Sequence, residues 1–139
     1  MSESKFELLY ADLGKAISAL NTSLKIDLQL YDSNVIDTLK NGQIQKFEYN
    51  IELLWKTMKA YFFEGRGISL KYSKEIVKYY FEEELIDEFT YQILIEALDS
   101  RNALSHVYKE EVFLEIYPKI KTYAAAIETT YLTLKLRAI

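Results

Sequence analysis

The sequence predicts an all-α fold, an up-and-down four-helix bundle with an additional short helix, in a single domain over residues 1–139. Three observations predict it. Apolar residues recur at three- and four-residue steps over long stretches, and nothing alternates with the period of a strand. One proline and four glycines leave few places to break regular structure. Half of the 139 residues are hydrophobic, enough to bury a real core.

The elements follow in order. Phe6, Leu9, Leu13, Ala16, Ile17, Leu20 and Leu24 line one face of a first helix over about residues 3–27. Asp32, Ser33 and Asn34 interrupt the pattern and offer cap oxygens to the next helix. Its stripe is the clearest in the chain: Ile44, Phe47, Ile51, Leu54, Trp55, Met58 and Phe62, over about residues 34–63. Asn41-Gly42 is a weak point near its start, and Gly65-Arg66-Gly67 ends it. Ser73 is placed to cap a shorter helix carrying Ile76, Val77, Tyr80 and Phe81. Asp87 is placed to cap the next, with Leu94, Ala97 and Leu98 facing inward. The last stripe is Phe113, Ile116, Tyr117, Ile120, Tyr123, Ala124, Ile127, Tyr131 and Leu134. Pro118 lies within it and predicts a kink or a late helix start. Twelve tyrosines and seven phenylalanines serve packing or an interface, and packing is the simpler reading.

Composition narrows the function. Without cysteine there are no disulfides and no thiolate metal sites. A net charge of -4 argues against a broad nucleic-acid-coating surface, yet allows a local basic groove. Lys56, Lys59, Arg66, Lys71, Lys74 and Lys78 form either such a rim or an ordinary solvated face. No apolar run is long enough to span a bilayer, and Met1-Ser2-Glu3-Ser4-Lys5 lacks the regions of a secretion signal. A cytoplasmic protein with no membrane association is expected.

Chemistry concentrates in Arg101-Asn102-Ala103-Leu104-Ser105-His106-Val107-Tyr108, which holds the one histidine of the chain. At about 100° per residue Arg101 falls in register with Leu94, Ala97 and Leu98, on the apolar side of its helix. A guanidinium there requires a carboxylate partner or a cleft that admits water or an anion. Asn102 and His106 share a face, while Arg101 lies about 140° from His106 around the axis. Either the helix breaks between them, or two copies of the motif meet across a twofold axis. Ser105 beside His106 makes no triad, because adjacent helical residues diverge. With no second histidine and no dense carboxylate cluster, neither a metal nor a cofactor is expected. Metal-independent cleavage of RNA fits these groups. His106 moves a proton near neutral pH, Arg101 holds the phosphate, and Asn102 orients either. Such cleavage needs both a base and an acid, which is a chemical reason to expect a homodimer.

The motif resembles the R-N-x-x-x-H signature of the HEPN superfamily, and with His106-Val107-Tyr108 it resembles the R-x4-H-x-Y form of HepT-like toxins. Ile44-Gln45-Lys46-Phe47-Glu48-Tyr49, followed by Glu52-Leu53-Leu54-Trp55-Lys56, is similar to a stretch of the family called nucleotidyltransferase substrate-binding proteins. The likeness extends over almost the whole chain. One departure is Ile68-Ser69-Leu70-Lys71-Tyr72-Ser73, where many relatives carry a proline before the next helix. The resemblance implies a dimer whose two motifs face one cleft, and a partner nucleotidyltransferase of the MNT type acting as antitoxin. It implies a ribonuclease toxin with Arg101 and His106 catalytic, Asn102 assisting, and Tyr108 accepting AMP from the partner. Glu48, at the edge of the apolar stripe, is a supporting residue. Its carboxylate either faces water at the rim or pairs with Arg101 or Lys56. Trp55 reads as core in preference to a base-stacking platform. The competing functions are a non-catalytic substrate- or nucleotide-binding subunit of the transferase, and a plain interaction bundle whose polar cluster only caps helices.

Overall fold

The computed structural model describes residues 3–106 and 110–137. The fold is an all-α bundle, with no strand among the described residues. Its main helices are α1 (Lys5–Leu24), α2 (Ser33–Arg66), α4 (Glu88–His106) and α6 (Ile120–Arg137); α3 (Ser73–Glu82) and α5 (Glu110–Ile116) are shorter. α2 packs against α1, α3, α4 and α6, and α6 closes the bundle against α1 and α4.

Local chemistry explains the boundaries. α1 begins where the Ser4 hydroxyl accepts the Glu7 amide at 3.1 Å, and the Glu64 carboxylate accepts the Phe6 amide at 2.8 Å. An anion on these unpaired amides is favoured by the helix dipole. The helix stops at Leu24, short of the expected end, because Asp27 caps a separate 3-10 turn at Leu28–Leu30. Asp32 then caps α2 by accepting the Val35 amide at 3.0 Å. The expected weak point at Asn41-Gly42 does not interrupt α2. The next residue, Gln43, is buried and donates to the Ser23 carbonyl at 2.7 Å, while its Oε1 accepts from the Tyr117 hydroxyl. Gln43 therefore ties α2 to the end of α1 and to the segment that carries Tyr117.

Ser73 is not the cap of α3. It is the first helical residue, and the cap position is Tyr72, which makes no side-chain cap bond. Glu75 reaches back instead and accepts the Lys71 amide at 3.0 Å. Asp87 does cap α4: it accepts the Thr90 amide at 2.8 Å, and this bond holds its carboxyl below the usual range. Pro118 produces more than a kink. The last stripe divides into α5, a 3-10 turn at Tyr117–Lys119 and α6, since proline offers no amide to continue the ladder.

Most of the core comes from the predicted stripes, although Leu9, Leu24, Trp55, Phe81, Tyr117 and Tyr131 are only partly buried against it. Leu13, Phe47, Ile51, Leu54, Met58, Phe62, Leu94, Tyr123 and Ile127 are buried, each apolar side chain contributing roughly 1.5–3 kcal/mol. Asn50 is a buried polar insertion whose amide donates to the Ala16 carbonyl of α1 at 3.0 Å. Gly67 ends α2 in the left-handed region, with φ 67°. Gly67→Ala is expected to destabilise the fold by about 1 kcal/mol. Urea unfolding should show a lower midpoint at unchanged slope.

Candidate functional site

α4 is held to α6 by a buried hydrogen bond of 2.8 Å between the hydroxyls of Ser100 and Tyr123, and Leu104 is buried one turn further on. These contacts set the rotation of the helix. Arg101 is consequently turned toward α2. Its Nε lies 3.0 Å from Oε1 of Glu52, and its Nη1 donates to Ser105 Oγ at 2.7 Å. Ser105 in turn donates to the Arg101 carbonyl at 3.1 Å. The Glu52 oxygen sits off the Nε–H axis, so the contact is an attraction of charges and not an aligned hydrogen bond. With 29% of the Arg101 side chain exposed, one edge of the guanidinium remains open to solvent.

Glu52 is the partner that sequence reasoning missed. It was visible only as a carboxylate one turn beyond Glu48 on the same helix face, and spacing could not choose between them. Glu48 itself is half-buried beside Arg101. Burial pushes its carboxyl upward, and the Arg101 charge pulls it part of the way back. Glu48, Tyr49, Glu52, Leu53, Lys56 and Arg101 line a groove of about 310 Å³. Lys56 leans 3.8 Å from Glu52. Trp55, expected in the core, is only partly buried against it. Of the other basic residues considered for a rim, Lys74 pairs with Asp99, and Arg66 pairs with Glu83.

α4 runs without a break to His106, so the two motif faces diverge as helix geometry requires. Asn102 and His106 are exposed, four residues apart, while Arg101 points into the α2 groove. The structure thus joins Arg101 to Glu52 and leaves His106 apart from them. Tyr108 lies outside the described residues. Among the described residues, no group of three or more histidine, aspartate or glutamate side chains comes together around a metal-sized space. No described helix is long and apolar enough to cross a membrane. A larger cavity, about 910 Å³ between α1 and α2, contains none of Arg101, Asn102 or His106. It is an open trough walled mainly by small side chains, so the Arg101 groove, which brings two cations and two carboxylates together, is the stronger candidate for chemistry.

The desolvated carboxylate makes a prediction. The folded value of Glu48 lies above its unfolded one, so the native state binds more protons between the two. Its unfavourable contribution is absent below the unfolded value and fully present above the folded one. Glu48→Gln is expected to stabilise the protein at neutral pH, with the difference vanishing as the pH falls below the carboxylate range. Thermal melts of both chains across that range check it; a difference that grows toward acid would refute it.

Comparison with known proteins adds three findings. The profile of a family described as "Nucleotidyltransferase substrate binding protein like" matches residues 8–136. A crystal structure of a protein from Thermus thermophilus is similar at TM-score 0.72 and 24% identity, covering 85% of this chain and 94% of that one, which is a likeness of fold. A search of curated proteins found no match.

Proposed function

The chain belongs to the nucleotidyltransferase substrate binding protein like family, and from that membership and the geometry of α4 we propose that it is a HEPN-type, metal-independent ribonuclease toxin acting as a homodimer. The observation that carries this reading is the divergence of Arg101 and His106 on one unbroken helix. A single chain presents a phosphate-binding cation and a proton-transfer group in different directions. A second copy related by a twofold axis supplies the missing half of each pair.

In the proposed reaction, His106 of one copy removes the proton from a ribose 2′-hydroxyl. The freed oxygen attacks the adjacent phosphorus, and the bond to the leaving 5′-oxygen breaks. That oxygen takes a proton from His106 of the other copy, which enters the step protonated. Arg101 bears the charge that builds on the phosphate oxygens, and Asn102 orients the histidine or the phosphate. Glu52 holds the guanidinium in place before substrate arrives and keeps a partly buried cation from standing unpaired. Control rests on a partner nucleotidyltransferase of the MNT type. The Tyr108 hydroxyl attacks the α-phosphorus of ATP, pyrophosphate leaves, and AMP remains on the tyrosine. The added negative charge, two residues from His106 in sequence, repels the RNA backbone.

The competing reading is a non-catalytic subunit that presents a substrate or nucleotide to the transferase. The engagement of Arg101 by Glu52 favours it, because that pairing lowers the charge available to a phosphate.

Purified wild-type protein is expected to cut single-stranded RNA in the presence of a metal chelator. His106→Ala should lower the rate by about 100-fold or more. Intact RNA after incubation with the wild-type protein, with no growth difference between cells expressing the two chains, refutes the nuclease. Incubation with the partner transferase and ATP should add one AMP mass at Tyr108 and abolish cutting. Addition at another residue, or none, removes Tyr108 from the mechanism.

A further inference from the structure

The Arg101 groove continues into a second cavity along the outer edge of α2, and Lys56 lines both. This second cavity, about 410 Å³, lies between α2, the start of α1 and the loop that follows α2. Trp55 and Phe63 provide its aromatic surface; Trp55 is half-buried, and the Phe63 side chain is 60% exposed. Lys5, Lys56 and Lys59 surround them. The single carboxylate of the lining, Glu64, already accepts the Phe6 amide at the start of α1. Among the described residues Lys5 and Lys59 make no ion pair, while Lys56 has a long contact with Glu52 and lies over the Trp55 ring, 5.8 Å from its centroid. In a chain of net charge -4, this is a local reversal of sign around exposed π surface.

Cations flanking aromatic faces are what a single nucleic-acid strand requires. Its bases stack on the rings and its phosphates settle on the ammonium groups. Register along the helix agrees. Glu52, which holds Arg101, and Lys59 are seven residues apart, about 10 Å along the axis, within the reach of a dinucleotide. Glu48, Glu52, Lys56, Lys59 and Phe63 fall within about 80° of one another around α2, so one strand can follow one edge. We propose that the Trp55–Phe63 cavity is a base-stacking subsite for single-stranded RNA, holding the nucleobase beside the phosphate that Arg101 engages. The proposal rests on the nuclease reading and names the substrate-binding track of that site.

Trp55 is the one tryptophan of the chain, so its emission reports on this cavity alone. The full-length His106→Ala protein is titrated with a single-stranded oligoadenylate about eight nucleotides long. Saturable quenching of Trp55 is expected. Phe63→Ala should weaken binding about tenfold, and Lys59→Gln should flatten the salt dependence by about one phosphate contact. Phe63 is exposed, so its truncation leaves the core intact; Leu132→Ala, on exposed α6 surface, should change nothing. Oligonucleotide binding, followed by anisotropy of a labelled strand, that is indifferent to Phe63→Ala and leaves Trp55 emission unmoved overturns the subsite. Quenching by AMP as tight as that by the oligonucleotide also overturns it, in favour of a mononucleotide pocket. Loss of transferase binding in Phe63→Ala with RNA binding intact overturns it in favour of a protein contact. The two readings separate cleanly. Quenching that depends on Phe63 while wild type leaves RNA intact keeps the subsite and removes the nuclease. Cutting by wild type that Phe63→Ala does not alter does the reverse.

Discussion

Burial of one face of α2 is the constraint on which the rest of the molecule depends. Phe47, Ile51, Leu54, Met58 and Phe62 are fully enclosed, and through them α2 packs on α1, α3, α4 and α6. Rotating the helix by one residue would carry these side chains into water at a cost of several kcal/mol. The rotation is therefore fixed, and so is what the opposite edge presents. Glu48, Glu52 and Lys56 meet Arg101 there, and Trp55, Lys59 and Phe63 follow along the same helix. A long helix that looks purely architectural thus sets the electrostatics of the site.

A second constraint is the cost of desolvating a guanidinium. Ser100 and Leu104 anchor α4 to the bundle, which carries Arg101 to the apolar side. A cation that cannot be deprotonated must then be compensated, and the carboxylate that meets it from α2 is Glu52. The same charge relieves part of the burial penalty on Glu48. Two acids of one helix share one cation of another. His106, one turn beyond the exposed Asn102 on α4, takes no part in that exchange and stays in water.

Much of the fold was legible because it is written in periodicity. The stripes of α1, α2 and α6 name most of the residues that are buried, and Asp32, Gly67 and Asp87 mark helix ends through local hydrogen bonding or a left-handed backbone. Errors fell where a group outside the local pattern decided the matter. Gln43 bonds to α1 and to Tyr117, which carries α2 through Asn41-Gly42 unbroken. Glu75 takes the Lys71 amide, which moves the start of α3 away from a Ser73 cap. Trp55 sits on a recognisable apolar stripe, yet the stripe is wider than the surface available to cover it.

The chain's own spacing established an all-helical bundle and the divergence of Arg101 from His106, since both follow from 3.6 residues per turn. It also established that Arg101 needs a carboxylate or a cleft open to water or an anion, because a permanent cation cannot be buried uncompensated. Which carboxylate answers, and which aromatic surfaces stay open beside it, depended on how α4 and α1 settle against α2. Glu48 and Glu52 are equivalent in local pattern. They differ only in how they meet a guanidinium on a helix far along the chain, and that difference exists only once the helices have packed.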